Sequence, residues 1–215
     1  MCYGSVPVPT DPISNQPIVP FRFGGHVALD FVDTVDSWVR PVTRDYIDSF
    51  AKLLGWTRQV GLIDEESAEG LVGRISPKRA TAALGEAIEF RRVLLCAFGA
   101  IIDGSPQDND GTAMLNALLK EARDKQDFVA CPGSFKWVWA SPLDVRTPIL
   151  RIALAAGDLL ERADLTRLKR CPGPDGCGWL FLDESRNRSR KWCSMDYCGS
   201  FAKARRFAER HRRKV

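Results

Sequence analysis

Four cysteines near the carboxyl end of the 215-residue chain constrain its fold more than any other feature. Cys171 and Cys177 enclose five residues rich in Pro and Gly, Cys193 and Cys198 enclose four, and fifteen residues separate the two pairs. This C-x5-C-x15-C-x4-C spacing is close to that of zinc sites with four thiolate ligands. We therefore predict a Zn²⁺ cofactor, which would stabilise a segment too short to fold on a hydrophobic core alone.

Such a site would be structural, because four thiolates leave no coordination position for water. Two disulfides or unrelated buried thiols are the alternative interpretations, and a reducing compartment disfavours the disulfides. We expect the other cysteines, Cys2, Cys96 and Cys131, to be incidental thiols. An apolar cluster is predicted around the metal site, formed by Trp179, Leu180, Phe181, Trp192, Phe201 and Phe207.

The composition predicts a cytoplasmic protein that does not enter the membrane. Residues 1–20 contain five prolines and no apolar signal-peptide core, which is typical of a flexible arm. The longest apolar run, 93–102, has ten residues, about half of what a transmembrane helix needs.

The rest of the chain predicts a mainly α fold. We expect a helical N-terminal domain with a small β-hairpin over residues 21–165, followed over 166–215 by a small treble-clef-like or knuckle zinc finger. The hairpin is predicted at 128–140, around Pro132-Gly133-Ser134. Apolar periodicity, caps and stops predict the helices. The first follows the Gly-Gly turn within 21–38, and the others lie at about 45–60, from Asp64 onwards, 77–103, 107–125 and 147–163.

Basic residues are concentrated in the same region as the four cysteines. Residues 166–215 hold 14 Lys and Arg against 5 Asp and Glu, whereas the rest of the chain has a net charge of −5. Ser200 is a candidate N-cap for an amphipathic helix with a basic stripe. The candidate DNA contacts are Arg186, Arg188, Arg190, Lys191, Lys203, Arg206, Arg210 and Arg213. This excess favours binding to DNA phosphates; the alternative is a solvated or protein-facing surface that offsets the thiolate charge.

The stretch CGWLFLDESRNRSRKWCSMDYCG and the following KARR resemble the CGNR zinc finger, and LDFVDTV at 29–35 resembles the start of the ABATE domain. The resemblance implies a bacterial, stress-related transcription regulator with a DNA-binding finger and a ligand-sensing N-terminal domain. Ser200 and Phe201 stand where the family pattern has Asn and Arg, and Asp33 stands where it usually has Asn. The missing Arg removes one contact to phosphate or guanine.

His26, Asp30, Asp33 and Thr34 lie within nine residues and are candidates for binding a small molecule or a cation. A capping and hydrogen-bonding arrangement is the alternative, which we favour. With only two histidines and no nucleophile motif, an enzyme is not expected. We predict a DNA-binding regulator with a ligand-sensing or dimerising N-terminal domain, with DNA and a small effector as partners and a homodimer left open. The alternative is a zinc-finger module that binds protein and not DNA.

Overall fold

The computed structural model describes residues 22–64, 68, 71, 75–173 and 176–212. The arm predicted at 1–20, most of the helix predicted from Asp64 and the candidate DNA contact Arg213 lie outside these residues. Within the described part of the chain, no helix is long and apolar enough to cross a membrane.

The prediction of a mainly helical fold with a small hairpin is confirmed. The helices are α1 (Val27–Val32), α2 (Phe50–Gln59), α3 (Pro77–Asp103), α4 (Asn109–Asp124), α5 (Thr147–Arg162) and α6 (Ser200–Arg212). Two antiparallel hairpins are formed by β1 (Gln126–Cys131) with β2 (Ser134–Trp139) and by β3 (Leu168–Arg170) with β4 (Leu180–Leu182). A 3-10 turn spans Leu165–Arg167 and a π turn spans Met195–Gly199.

Helix α3 is the central element, and it has the predicted bounds. Pro77 occupies its first turn, where the missing N–H costs nothing, and Gly104 ends it in the left-handed conformation with φ 65°. Its fully buried Phe90, Leu94 and Phe98 pack into the main core with side chains of α1, α2, α4 and α5. The other helices of the domain therefore pack against this 27-residue helix.

The first two helices are shorter than predicted. Helix α1 ends at Val32, and residues 33–49 form a loop in which Val35 and Asp45 make an isolated β-bridge. In this loop the Asp36 carboxylate accepts hydrogen bonds from the backbone N–H groups of Thr43 and Arg44. Polar side chains that bind backbone in this way compete with helix formation. The predicted helices over 33–38 and 45–49 are therefore wrong.

The C-terminal segment packs directly on the helical domain. Leu168 and Leu180, from β3 and β4, are buried in the main core, whereas Trp179, Phe181 and Trp192 surround the cysteines. The prediction that Phe201 and Phe207 join this apolar cluster is wrong, since they are 68% and 65% exposed. In the helix that carries them only Ala202 is buried.

Candidate metal centre and nucleic-acid interface

The four predicted ligands, Cys171, Cys177, Cys193 and Cys198, come together in one cluster, with all four Sγ atoms within 4.8 Å of one another. The Sγ atoms of Cys177 and Cys193 are 3.5 Å apart, and that of Cys198 lies 3.7 Å from each of them. A tetrahedral zinc site with Zn–S bonds of about 2.3 Å has sulfur–sulfur edges of about 3.8 Å. All four cysteines are free of disulfides, and the cluster therefore fits a tetrahedral metal site.

The four thiols of this cluster shift one another's pKa values. Interactions with the neighbouring thiols lower the pKa values of Cys171 and Cys198 and raise those of Cys177 and Cys193. A bound dication would favour loss of the remaining protons, because metal ligands are thiolates.

The first pair of cysteines lies on a tight turn. The backbone N–H of Cys171 donates to the carbonyl of Trp179 at 2.7 Å, which closes the turn. Gly176 has no room for a side chain, since a Cβ there would meet the Pro172 carbonyl and lie 2.9 Å from the Sγ of Cys171. Gly178 adopts φ 78°. Gly176 thus lets the backbone pass close to the Cys171 sulfur atom, and Gly178 supplies the left-handed conformation that follows.

The loop after α1 holds the turn in place. Trp38 donates its backbone N–H to the Cys177 carbonyl at 2.7 Å, and the Ser37 hydroxyl donates to the same oxygen at 3.2 Å. The indole N–H of Trp179 donates to the Val35 carbonyl at 2.8 Å. The metal centre is therefore fixed to the helical domain by direct hydrogen bonds to this loop.

Two of the four candidate ligand-binding residues support the backbone before and within α1. The His26 ring accepts a hydrogen bond from the N–H of Ala28, and burial lowers the pKa of His26. Asp30 accepts the N–H of Gly24 at 2.9 Å, and burial raises the pKa of Asp30 despite the nearby Arg22.

The other two candidates connect α1 to other elements. Thr34 donates to the Phe31 carbonyl and accepts from Arg91 of α3 at 2.8 Å. Asp33 is buried and accepts the N–H of Leu180, in β4, at 3.0 Å. Its second oxygen has no hydrogen-bond partner among the described residues, and burial raises the pKa of Asp33 well above 3.8. All four candidates are thus engaged within the protein, and their ligand-binding role stays a prediction.

The basic turn after β4 is organised by an ion pair between the partly exposed Lys169 and the buried Asp183. Asp183 is fully buried and accepts the Lys169 ammonium group at 2.5 Å and the backbone N–H of Arg190 at 3.0 Å. Although burial opposes it, hydrogen bonds from Lys169 and Ser185 hold the pKa of Asp183 well below its usual range. Lys169 also donates to the carbonyl of Arg188 at 2.6 Å. The Asp183 carboxylate and the Lys169 ammonium group thus fix the conformation of the turn through hydrogen bonds to its backbone.

Arg190 differs from the other cations of this turn. Its guanidinium donates to the carbonyls of Phe23 at 2.8 Å and Trp192 at 3.1 Å, and also to those of Leu182 and Cys193. It lies 4.4 Å from the centre of the Phe181 ring. These contacts direct Arg190 into the protein, where it joins the turn, the metal centre and the segment before α1.

The remaining predicted cations are exposed. On the turn these are Arg186, Arg188 and Lys191, of which Arg188 pairs with Asp164 at 3.0 Å. On α6 they are Lys203, Arg206 and Arg210. Ser200 is not the N-cap that the sequence predicts: it already has helical dihedrals, and its hydroxyl donates to the Met195 carbonyl. Only Ala202 of α6 is buried, so this helix projects from the metal centre with its cations in solvent.

A cleft of about 460 Å³ lies where α6 faces the helical domain. The Phe23 ring lies 6.3 Å from that of Trp179 and 5.6 Å from that of Tyr197. The residues of its walls include Phe23, Arg40, Tyr46, Trp179, Phe201 and Arg205. The sequence pattern did not indicate this cleft, because its walls come from three separate segments.

Comparison with known families agrees with this geometry. A family model named ABATE, described as "Putative stress-induced transcription regulator", matches residues 25–170. The chain belongs to the ABATE family. A second model, described as CGNR zinc finger, matches residues 167–211 and contains all four clustered cysteines. A search of curated proteins found no match to the chain. The CGNR match begins at Arg167, just before β3, and the ABATE match ends at Arg170, the last residue of β3, so the two matches overlap along the strand whose Leu168 is buried in the main core.

Proposed function

We propose that this ABATE protein is a cytoplasmic DNA-binding transcription regulator whose CGNR finger contacts the phosphate backbone. The observation that carries the proposal is the projecting helix α6, which has five Lys and Arg against one Glu over residues 200–212 and buries only Ala202. A helix held at one end by a metal centre can enter a DNA groove, and its cations can bind phosphates on either side. The proposal assigns no catalytic activity.

The turn between the cysteine pairs supports the same surface. Its exposed cations, Arg186, Arg188 and Lys191, add to Lys203, Arg206 and Arg210 of the helix. No hydrogen bond or ion pair engages the side chains of the three helix cations within the described residues. Arg190 is left out of the proposed surface because its guanidinium binds backbone carbonyls. About six phosphate contacts then correspond to a slope near −5 for log K against log salt.

The test is fluorescence anisotropy with duplex DNA of random sequence, at salt concentrations from about 50 to 200 mM. The double variant Arg206→Glu, Arg210→Glu should bind far more weakly, with a slope smaller by about two. The control variant is Lys78→Glu, Arg79→Glu, which makes the same charge change at two exposed positions of α3 and should bind like the wild type. An equal loss in both variants would mean that overall charge, and not the finger, drives binding.

We propose that the four thiolates hold one Zn²⁺ ion with a structural role. The donor set and the sulfur–sulfur distances fit this metal. Bound Zn²⁺ would keep all four thiols deprotonated and fix the two turns against each other. Metal analysis should give one zinc per chain in the wild type and in Cys96→Ser, whose thiol is exposed on α3, and a large loss in Cys198→Ser. Equal zinc content in all three proteins would contradict the assignment.

A second candidate function is protein binding by the finger, which the exposed Phe201 favours. Phe201 stands where the family pattern has Arg, and exposed aromatic side chains often mark protein contacts. If the finger binds protein only, Phe201→Ala abolishes partner binding, whereas the charge reversals at Arg206 and Arg210 have little effect. No DNA binding at low salt would favour this candidate.

For the effector we propose the cleft between α6 and the helical domain. His26, Asp30, Asp33 and Thr34 are all engaged in internal hydrogen bonds, whereas the cleft has aromatic walls and the volume of a small-molecule site, and it borders the metal centre at Cys177, Cys193 and Cys198. A ligand there would contact Arg40 on the loop after α1 and Arg205 on α6, and so could affect the helix position. Compounds that raise the melting temperature of the wild type but not of Arg40→Ala would support this site.

A further inference from the structure

The β1–β2 hairpin carries a ladder of exposed aromatic side chains that the proposed function does not use. In the antiparallel register Phe128 lies opposite Trp137 and Ala130 lies opposite Phe135, so the three rings share one face. The ring centre of Phe128 is 5.3 Å from that of Phe135 and 4.9 Å from that of Trp137. Phe128 is 56% exposed, Phe135 64% and Trp137 49%. Apolar patches of this kind on soluble proteins mark interaction sites.

The hairpin is anchored to the protein mainly at its base, and Arg123 of α4 lies 5.2 Å from the centre of the Trp137 ring. Trp139 packs against the main core with the Arg151 guanidinium 4.5 Å from its ring centre, and Ala140 donates its N–H to the Lys125 carbonyl. Beyond this base the sheet has two strands. Two-stranded sheets are marginally stable in water unless further strands or another apolar surface cover them.

The outer edges of the hairpin are regular. Six consecutive residue pairs join the strands, from Gln126 with Trp139 to Cys131 with Ser134, without a bulge, and neither strand contains proline. Natural sheets normally blunt exposed edges with prolines, bulges or several charges. Here each strand has one charged residue, Asp127 or Lys136, and the register places both on the face opposite the aromatic ladder.

We propose that the aromatic face and an open edge of this hairpin form the contact between two copies of this chain. The strands carry one negative and one positive charge, and among the described residues Arg123, beside Trp137, is the one cation placed on the aromatic ladder. A single cation is not the cluster of basic residues by which proteins bind nucleic acid or an anionic lipid surface. The strands themselves, with no net charge, cause no repulsion between two hairpins. A two-fold contact lets each hairpin cover the aromatic side chains of the other and extends the sheet beyond two strands.

The patch is small for a permanent interface. A buried aromatic side chain covers about 150 to 250 Å², and the exposed parts of these three therefore remove roughly 300 Å² per copy. Stable interfaces bury about 800 Å² per partner. We therefore expect a dimer that dissociates at micromolar concentration. A dimer would also present two fingers to two DNA half-sites; that consequence rests on the proposed function, whereas the dimer itself does not.

The test is sedimentation velocity of the full-length, zinc-loaded protein over the micromolar range, without DNA. The wild type should change from monomer to dimer as its concentration rises, and Phe135→Ser should stay monomeric. The matched control is Val42→Ser, which replaces an apolar side chain of 47% exposure in the loop after α1 and should dimerise like the wild type.

A second variant, Phe128→Ser with Trp137→Ser, guards against a local folding defect in the first, and circular dichroism checks that each variant is folded. A wild type that remains monomeric throughout overturns the proposal, and so does unchanged dimerisation of both hairpin variants. Because DNA is absent, these results do not depend on whether the finger binds DNA.

Discussion

Replacing Arg190 by Ala should destabilise the fold far more than the same change at Arg188, two residues earlier. Four carbonyl oxygens accept from the Arg190 guanidinium, and they belong to Phe23, Leu182, Trp192 and Cys193. Removal of the side chain leaves these acceptors without their donor and uncovers the Phe181 ring beneath it. Arg188, in contrast, makes an exposed ion pair with Asp164.

The magnitude follows from the number of bonds. At about 1 kcal/mol for each hydrogen bond, the four bonds contribute about 4 kcal/mol, and solvent access to part of the guanidinium reduces this to about 3 kcal/mol. For a chain of this size the corresponding fall in melting temperature is about 6 to 12 °C. Arg188→Ala should cost less than about 1 kcal/mol, because exposed ion pairs contribute little.

Thermal unfolding followed by circular dichroism measures both variants beside the wild type. Arg190→Lys is the informative intermediate, because a single ammonium group cannot reach carbonyls on several sides as a planar guanidinium does. It should lose most of the stability that Arg190→Ala loses. Melting temperatures for Arg190→Ala and Arg188→Ala that agree within about 2 °C would refute the reasoning, and Arg190 would then belong with the exposed cations of the turn.

Two further substitutions test the metal centre and its contact with the helical domain. Gly176→Ala should lower zinc content and melting temperature, because a Cβ there meets the Pro172 carbonyl. The control is Gly85→Ala in α3, where no atom lies within 4 Å of the added carbon. This control should raise stability by about 0.5 to 1 kcal/mol. Asp33→Asn retains an oxygen acceptor for the Leu180 N–H and removes a buried charge. Burial raises the pKa of Asp33, so the wild-type carboxylate is most unfavourable at high pH and the penalty disappears as the pH falls towards 3.8. Denaturant titrations should show the Asp33→Asn variant to be more stable than the wild type near neutral pH, with a difference that shrinks on acidification; a difference independent of pH would contradict the assigned charge effect.

Local sequence determined the elements whose signals are short-range. Pro77 and Gly104 set the ends of α3, and Pro132-Gly133 set the turn of the first hairpin, because caps and turns depend on a few neighbouring residues. The spacing of the cysteines likewise identified the metal cluster, since two tight turns can present four sulfur atoms to one centre whatever surrounds them.

Tertiary structure decided the roles of residues whose partners are distant in sequence. Arg190 and Arg188 look alike in a basic run, yet only Arg190 reaches the Phe23 carbonyl, 167 positions away. Asp33 lies in a pattern typical of a helix, but its carboxylate binds β4 across 147 positions. Phe207 fits an amphipathic helix whose apolar side should be covered, although no part of the described body lies beneath it. Periodicity states which side chains share a face, whereas only the packed chain determines what that face meets.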